Sequence, residues 1–151
     1  MDLQSALPVL LPKAIAWAES EANAAAATGE VPSDLAQGIA RRVGVSHPHL
    51  IRIAIVDSLP MPQDPELQAA AIQTGLLGPD MVGLTLGYSV LVRRGQVTWR
   101  LLSHEFRHVH KYEQAGSIAA FLPVYLQQIV QFGYLNAPLE VDARDHEQLG
   151  P

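Results

Sequence analysis

The residues best suited to chemistry stand together at Ser103-His104-Glu105-Phe106-Arg107-His108. The order His-Glu-x-x-His sets two imidazoles four residues apart. Successive residues on an α-helix rotate by about 100°, so His104 and His108 fall about 40° apart on one face. Two neutral imidazoles in that relation can share one Zn²⁺, and Glu105, next to them, can polarise a water held there. The chain has no cysteine, so any transition-metal site must be built from histidine and carboxylate.

A catalytic zinc site takes three protein ligands and keeps one position open. The third donor must come from elsewhere in the fold. A final helix, read as Leu139 to Gln148 with Pro138 before it, offers Glu140 and Asp142. Hydrolysis of a carbonyl compound at such a site also needs a donor to the developing oxyanion. Tyr134, in the loop before Glu140, is the first choice, and Tyr112, one turn after His108, is the rival. His47 and His49 flank Pro48 with no third donor nearby, and read as loop or cleft histidines rather than a second metal site.

The elements that must position these residues follow from periodicity. Val97 to Gln114 reads as the metal helix, with Trp99, Leu102, Phe106 and Val109 on an arc opposite the two histidines. Arg100, Arg107 and Lys111 form a flank, and His110 points elsewhere. Before it, Val82 to Val92 (VGLTLGYSVLV) reads as one strand, in which Gly83 and Gly87 mark a bulge or a close approach. Leu50 to Val56 is a second strand. Ser117 to Phe132 reads as an apolar bridging helix, with a kink or a late start at Pro123. Upstream, Pro12 to Thr28 reads as an alanine-rich helix on the outside of the core, with Pro12 in its first turn. Ser33 caps a second helix, Asp34 to Val43, with Leu35, Ile39 and Val43 inward. Pro65 to Thr74 reads as a short helix with Leu67, Ala70, Ala71 and Ile72 inward.

With 151 residues, 48% hydrophobic and 17% charged, one globular domain is expected: N-terminal helices over 1–45 and a core over 50–151. A net charge of −5 with no Lys/Arg-rich run argues against nucleic acid as a partner. The N-terminus lacks the positive stretch of a secretory signal, and Leu7 to Leu11 is too short to span a bilayer. A cytoplasmic protein with no membrane partner is expected.

The order of these elements resembles the gluzincin metallopeptidases, in which H-E-x-x-H is followed by a helix carrying a glutamate ligand, often as E-x-x-A. Asn136-Ala137-Pro138-Leu139-Glu140-Val141-Asp142-Ala143 is similar to that helix. The resemblance covers roughly residues 82 to 147 and is closest in scale to minimal gluzincins. It implies an α+β, zincin-like fold: a small sheet whose edge strand lies beside the H-E-x-x-H helix, a bridging helix and a C-terminal glutamate helix. It implies Zn²⁺ on His104, His108 and Glu140, with Glu105 as general base toward a peptide or protein substrate. Where many of these enzymes have Asp directly after the alanine, this chain has Arg144, with Asp145 one step later. The competing expectation is a zincin-like module that binds zinc and a protein partner without catalysis.

Overall fold

The structure, a computed structural model, describes residues 2–151. It is α+β, with six α-helices around a three-stranded mixed sheet among the described residues. The helices are α1 (Leu3–Thr28), α2 (Asp34–Arg42), α3 (Pro65–Thr74), α4 (Trp99–Ala115), α5 (Ile118–Phe132) and α6 (Pro138–Asp145). The strands are β1 (Arg52–Val56), β2 (Gly83–Leu86) and β3 (Ser89–Arg93). They lie in the order β1-β3-β2, with β1 parallel and β2 antiparallel to β3.

The expected single strand over Val82 to Val92 is two strands. Leu86 pairs with Ser89, so the chain reverses through Gly87 and Tyr88 in a two-residue loop. Gly87 takes φ +66°, which suits glycine in the first position of such a hairpin. The reversal makes β2 an edge strand and lays it against α4. The pleat then sorts side chains to two helical layers. Leu86 and Leu91 join the cluster with Ala18, Ala22, Phe121, Leu122 and Ile129 of α1 and α5. Val90 and Val92 join Ile39 and Val43 of the α2 region and Leu102, Phe106 and Val109 of α4.

The N-terminal helix begins at Leu3, not near Pro12, and carries Pro8 and Pro12 inside it. Asp2 caps it, accepting from the Gln4 amide at 3.2 Å, and both proline rings face solvent. The helix is packed along one face. Ala14, Ala18, Ala22 and Ala25 are buried, and their small side chains let the helix backbone approach the sheet and α5. In α2 the inward face is Ala36, Ile39 and Ala40, whereas Leu35 is exposed. In α3, Ala71 is buried and Ile72 is exposed. Pro48–Leu50 forms a turn of 3-10 helix, so β1 starts at Arg52. Pro123 neither delays nor ends α5, and Ser117 caps that helix by accepting from Ala120 N at 3.0 Å. No helix among the described residues is long and apolar enough to cross a membrane.

Candidate metal centre

Thr98 opens α4 by accepting from the Leu101 amide at 3.1 Å. The helix has two buried faces. Leu102, Phe106 and Val109 pack into the core on one side, and His104, Glu105 and His108 are buried on the other. The side that covers them is α6. Pro138 fills its first turn, and Ala143, wholly buried, lets α6 settle on α4 and carry Glu140 inward.

Glu140 reaches both histidines. Its Oε1 lies 3.1 Å from His104 Nε2 and its Oε2 lies 2.9 Å from His108 Nε2. One donor atom from each of the three residues falls within a 4.8 Å cluster. Neighbouring ligands on a tetrahedral zinc are about 3.3 Å apart, and Glu140 lies near that distance from each histidine, at 3.1 and 2.9 Å. Two imidazoles and one carboxylate are also a donor set that borderline-soft divalent ions accept. The donor set and its spacing therefore fit a zinc ion.

A surrounding layer fixes the ligands. His104 Nδ1 lies 2.9 Å from Glu147 Oε2, and Arg100 Nε donates to Glu147 Oε1 at 2.8 Å. With Nδ1 held by the Glu147 carboxylate, the ring is turned so that Nε2 faces Glu140. The Tyr125 hydroxyl donates to Glu140 Oε2 at 2.8 Å. The Gln148 amide donates to Ser103 Oγ at 2.7 Å, pinning the segment after α6 to the start of the motif. No buried side-chain nitrogen or oxygen among the described residues lacks a partner.

Glu105 is held separately, by β2. The Thr85 hydroxyl donates to Glu105 Oε1 at 2.8 Å. The other oxygen, Oε2, stands 3.9 Å from His104 Nε2. A Cβ on Gly83 would sit 3.1 Å from Glu105 Oε2, so a side chain there would press on the carboxylate by a few tenths of an ångström.

The charges are mutually adapted. Burial would lower the His104 pKa, but Glu140, Glu105 and Glu147 outweigh it and raise it to about 9. Burial would raise Glu140, but the hydrogen bonds from His104 and His108 hold it far below the usual carboxylate range. Tyr134 is pushed up by burial and then by the Glu140 and Glu105 charges, so its hydroxyl stays protonated beside them.

The other sequence-based expectations divide. Asp142, the alternative third ligand, pairs with Arg107 through contacts of 2.8 and 3.2 Å and stays away from the histidines. The same guanidinium donates to Val43 O at 2.8 Å, which ties α2 and α6 to α4. Tyr112 is buried and stacked on Phe121, leaving Tyr134 as the phenol at the mouth of the site. His110 packs against Gly44. His47 and His49 are exposed, away from the centre, where Glu113 accepts from the Ser46 and His47 amides and from Tyr88. The partner that orients His104 is Glu147, a residue the sequence did not single out. It lies past the end of α6, where no helical period marks it. Comparison of the chain with protein-family models, characterised proteins and solved structures finds no match, so the centre has to be read from its own geometry.

Proposed function

We propose that this protein is a zinc-dependent metallopeptidase of the gluzincin type, with His104, His108 and Glu140 holding the ion. The reading rests on one observation: Glu140 Oε1 and Oε2 meet the Nε2 atoms of both motif histidines, while Glu105 is held apart from them by Thr85. A carboxylate kept beside the donor cluster, but outside it, is what a general base needs and what a purely structural ion does not.

Zinc, when bound, supplies a Lewis acid that polarises the scissile carbonyl and acidifies water. The chain supplies the rest. Glu105 Oε2 takes the proton from the attacking water oxygen and delivers it to the nitrogen of the departing amine. Thr85 keeps Oε1 occupied, so the proton travels on one defined oxygen. The Tyr134 hydroxyl, held protonated, donates to the oxyanion as the carbonyl carbon becomes tetrahedral. Glu147 and Arg100 keep His104 oriented throughout. The free edge of β2 lies beside Glu105 and offers main-chain groups to an extended peptide.

The test is metal content and peptidase activity in three proteins. Wild type is expected to hold about one zinc per chain and to cleave peptides. Glu105→Gln should keep the zinc and lose cleavage, and His108→Ala should lose both. Stoichiometric zinc without cleavage of a broad peptide library would instead identify a binding module. Absence of zinc would overturn the centre itself.

A further inference from the structure

Tyr134 belongs to the five-residue loop, 133–137, that joins α5 to α6. Gly133 ends α5 with φ +78°, and the Ala137 amide closes the loop by donating to Gly133 O at 3.0 Å. At the tip Leu135 is 69% exposed, so its side chain does not hold the backbone in place. Arg144 does: its Nη2 donates to Leu135 O from nine residues away. Arg144 stands four residues after Glu140, one turn along the same face of α6. It lines a polar cleft beside the centre, together with His104, Glu105 and Tyr134. The other arginines here hold acids, Arg100 with Glu147 and Arg107 with Asp142. The hydrogen-bond partner of Arg144 is instead a backbone carbonyl. Its charge also reaches the phenol. Burial raises the Tyr134 pKa most, Glu140 and Glu105 raise it further, and Arg144 opposes them.

We propose that Arg144 is a positioning residue for Tyr134: it clasps Leu135 O, holds the loop tip beside the donor cluster, and so fixes the hydroxyl that donates to the oxyanion. This role rests on the metallopeptidase reading above. Two effects come from one guanidinium. The hydrogen bond fixes the backbone one residue from Tyr134, which limits how far the phenol can drift from the carbonyl under attack. The positive charge beside the phenol strengthens its donation as negative charge builds on the substrate oxygen. Arginine suits the task because it stays charged at any working pH. Since Glu147 orients His104, position 144 is free to serve the loop. A cation placed only to complement the C-terminal end of α6 would need neither the carbonyl nor the phenol.

The experiment is a double-mutant cycle on zinc-loaded protein, with a peptide that wild type cleaves. Tyr134→Phe alone should lower kcat by about 100-fold. Arg144→Ala alone should lower kcat by about 10-fold with KM within about twofold, while zinc content and circular dichroism stay unchanged. Arg144→Lys, which keeps a cationic donor, should hold kcat within about threefold of wild type. On the Tyr134→Phe background, Arg144→Ala should cost less than about twofold more, because the group it serves is already gone. Hydrogen exchange read by mass spectrometry needs no activity, and should quicken over 133–137 in Arg144→Ala but not over α4. Losses that multiply in the double variant would overturn the proposal, since Arg144 would then act on its own. A raised KM at unchanged kcat would also overturn it, and would place a substrate carboxylate on Arg144. Unchanged exchange in the loop would remove the clasp, and loss of zinc in step with kcat would reduce Arg144 to a structural role. Each of these leaves the peptidase reading intact. Failure of wild type to cleave any peptide would remove both.

Discussion

Gly83→Ala places one methyl group where the edge strand meets Glu105, the proposed general base. The new Cβ would stand 3.1 Å from Glu105 Oε2 and Cδ, and 3.1 Å from Leu101 Cδ1. Ordinary carbon contacts begin near 3.5 Å, so the carboxylate or the strand has to yield by about 0.3 to 0.5 Å. Thr85 holds the carboxylate by a 2.8 Å hydrogen bond, which the displacement strains or turns. A misplacement of about 1 Å at a reacting group costs on the order of 100-fold in rate. Scaled to the smaller shift, kcat should fall by about 4- to 10-fold. Zinc content should not change, because the three atoms nearest this Cβ belong to Glu105 and Leu101 and not to the proposed ligands. Stability should change little, because the entropy gained by replacing glycine opposes the overpacking. The assay is steady-state cleavage with metal analysis and a melting curve on the same preparation. An unchanged kcat would refute the idea that Gly83 is there to make room for Glu105. A fall accompanied by loss of zinc would show that the contact acts through the ligands.

Removing the partner of His104 with Glu147→Ala should weaken zinc binding by about 10- to 100-fold, measured by chelator competition, while circular dichroism stays unchanged. Ala143→Leu should force α6 off α4, costing about 1 to 3 kcal/mol in denaturant unfolding and weakening zinc retention, because Glu140 rides on that helix. Chelation should abolish cleavage and lower the melting temperature without unfolding the chain, since the buried donors hydrogen-bond one another without the metal. Away from the centre, burial would raise Glu113, but bonds from the Ser46 amide, the Tyr88 hydroxyl and His47 hold it below its ordinary value of 4.5. A lowered folded pKa means that its contribution is present above 4.5 and disappears as pH falls through the folded value. Glu113→Gln should therefore cost about 1 to 3 kcal/mol at pH 7, and the gap to wild type should shrink in melts taken at successively lower pH below 4.5.

What could be read from the chain beforehand was what depends on nearby residues. The four-residue spacing of His104 and His108, the caps at Ser33 and Ser117, and Glu140 three residues before Ala143 are all local patterns. The hairpin at Gly87-Tyr88 escaped because Leu84, Leu86, Val90 and Val92 sustain an apolar alternation across the turn, which conceals the reversal. A Gly-first pair at its centre was the signal available. The start of α1 escaped because Pro8 and Pro12 are breakers by composition, and only tertiary contacts show that a helix passes through both. Glu147 and Thr85 were invisible for another reason. Each acts across more than 19 residues of sequence, from a segment with no motif of its own.

The segment after α6 makes the centre depend on a few residues that belong to no helix. Glu147 orients His104 and Gln148 bonds Ser103, yet both lie beyond Asp145, where the last helix stops. A protease that clipped the chain at His146 would spare every helix and strand and still detach the strut behind His104, a proposed ligand. Such a cut would act as a dimmer on zinc retention and leave the folded body intact.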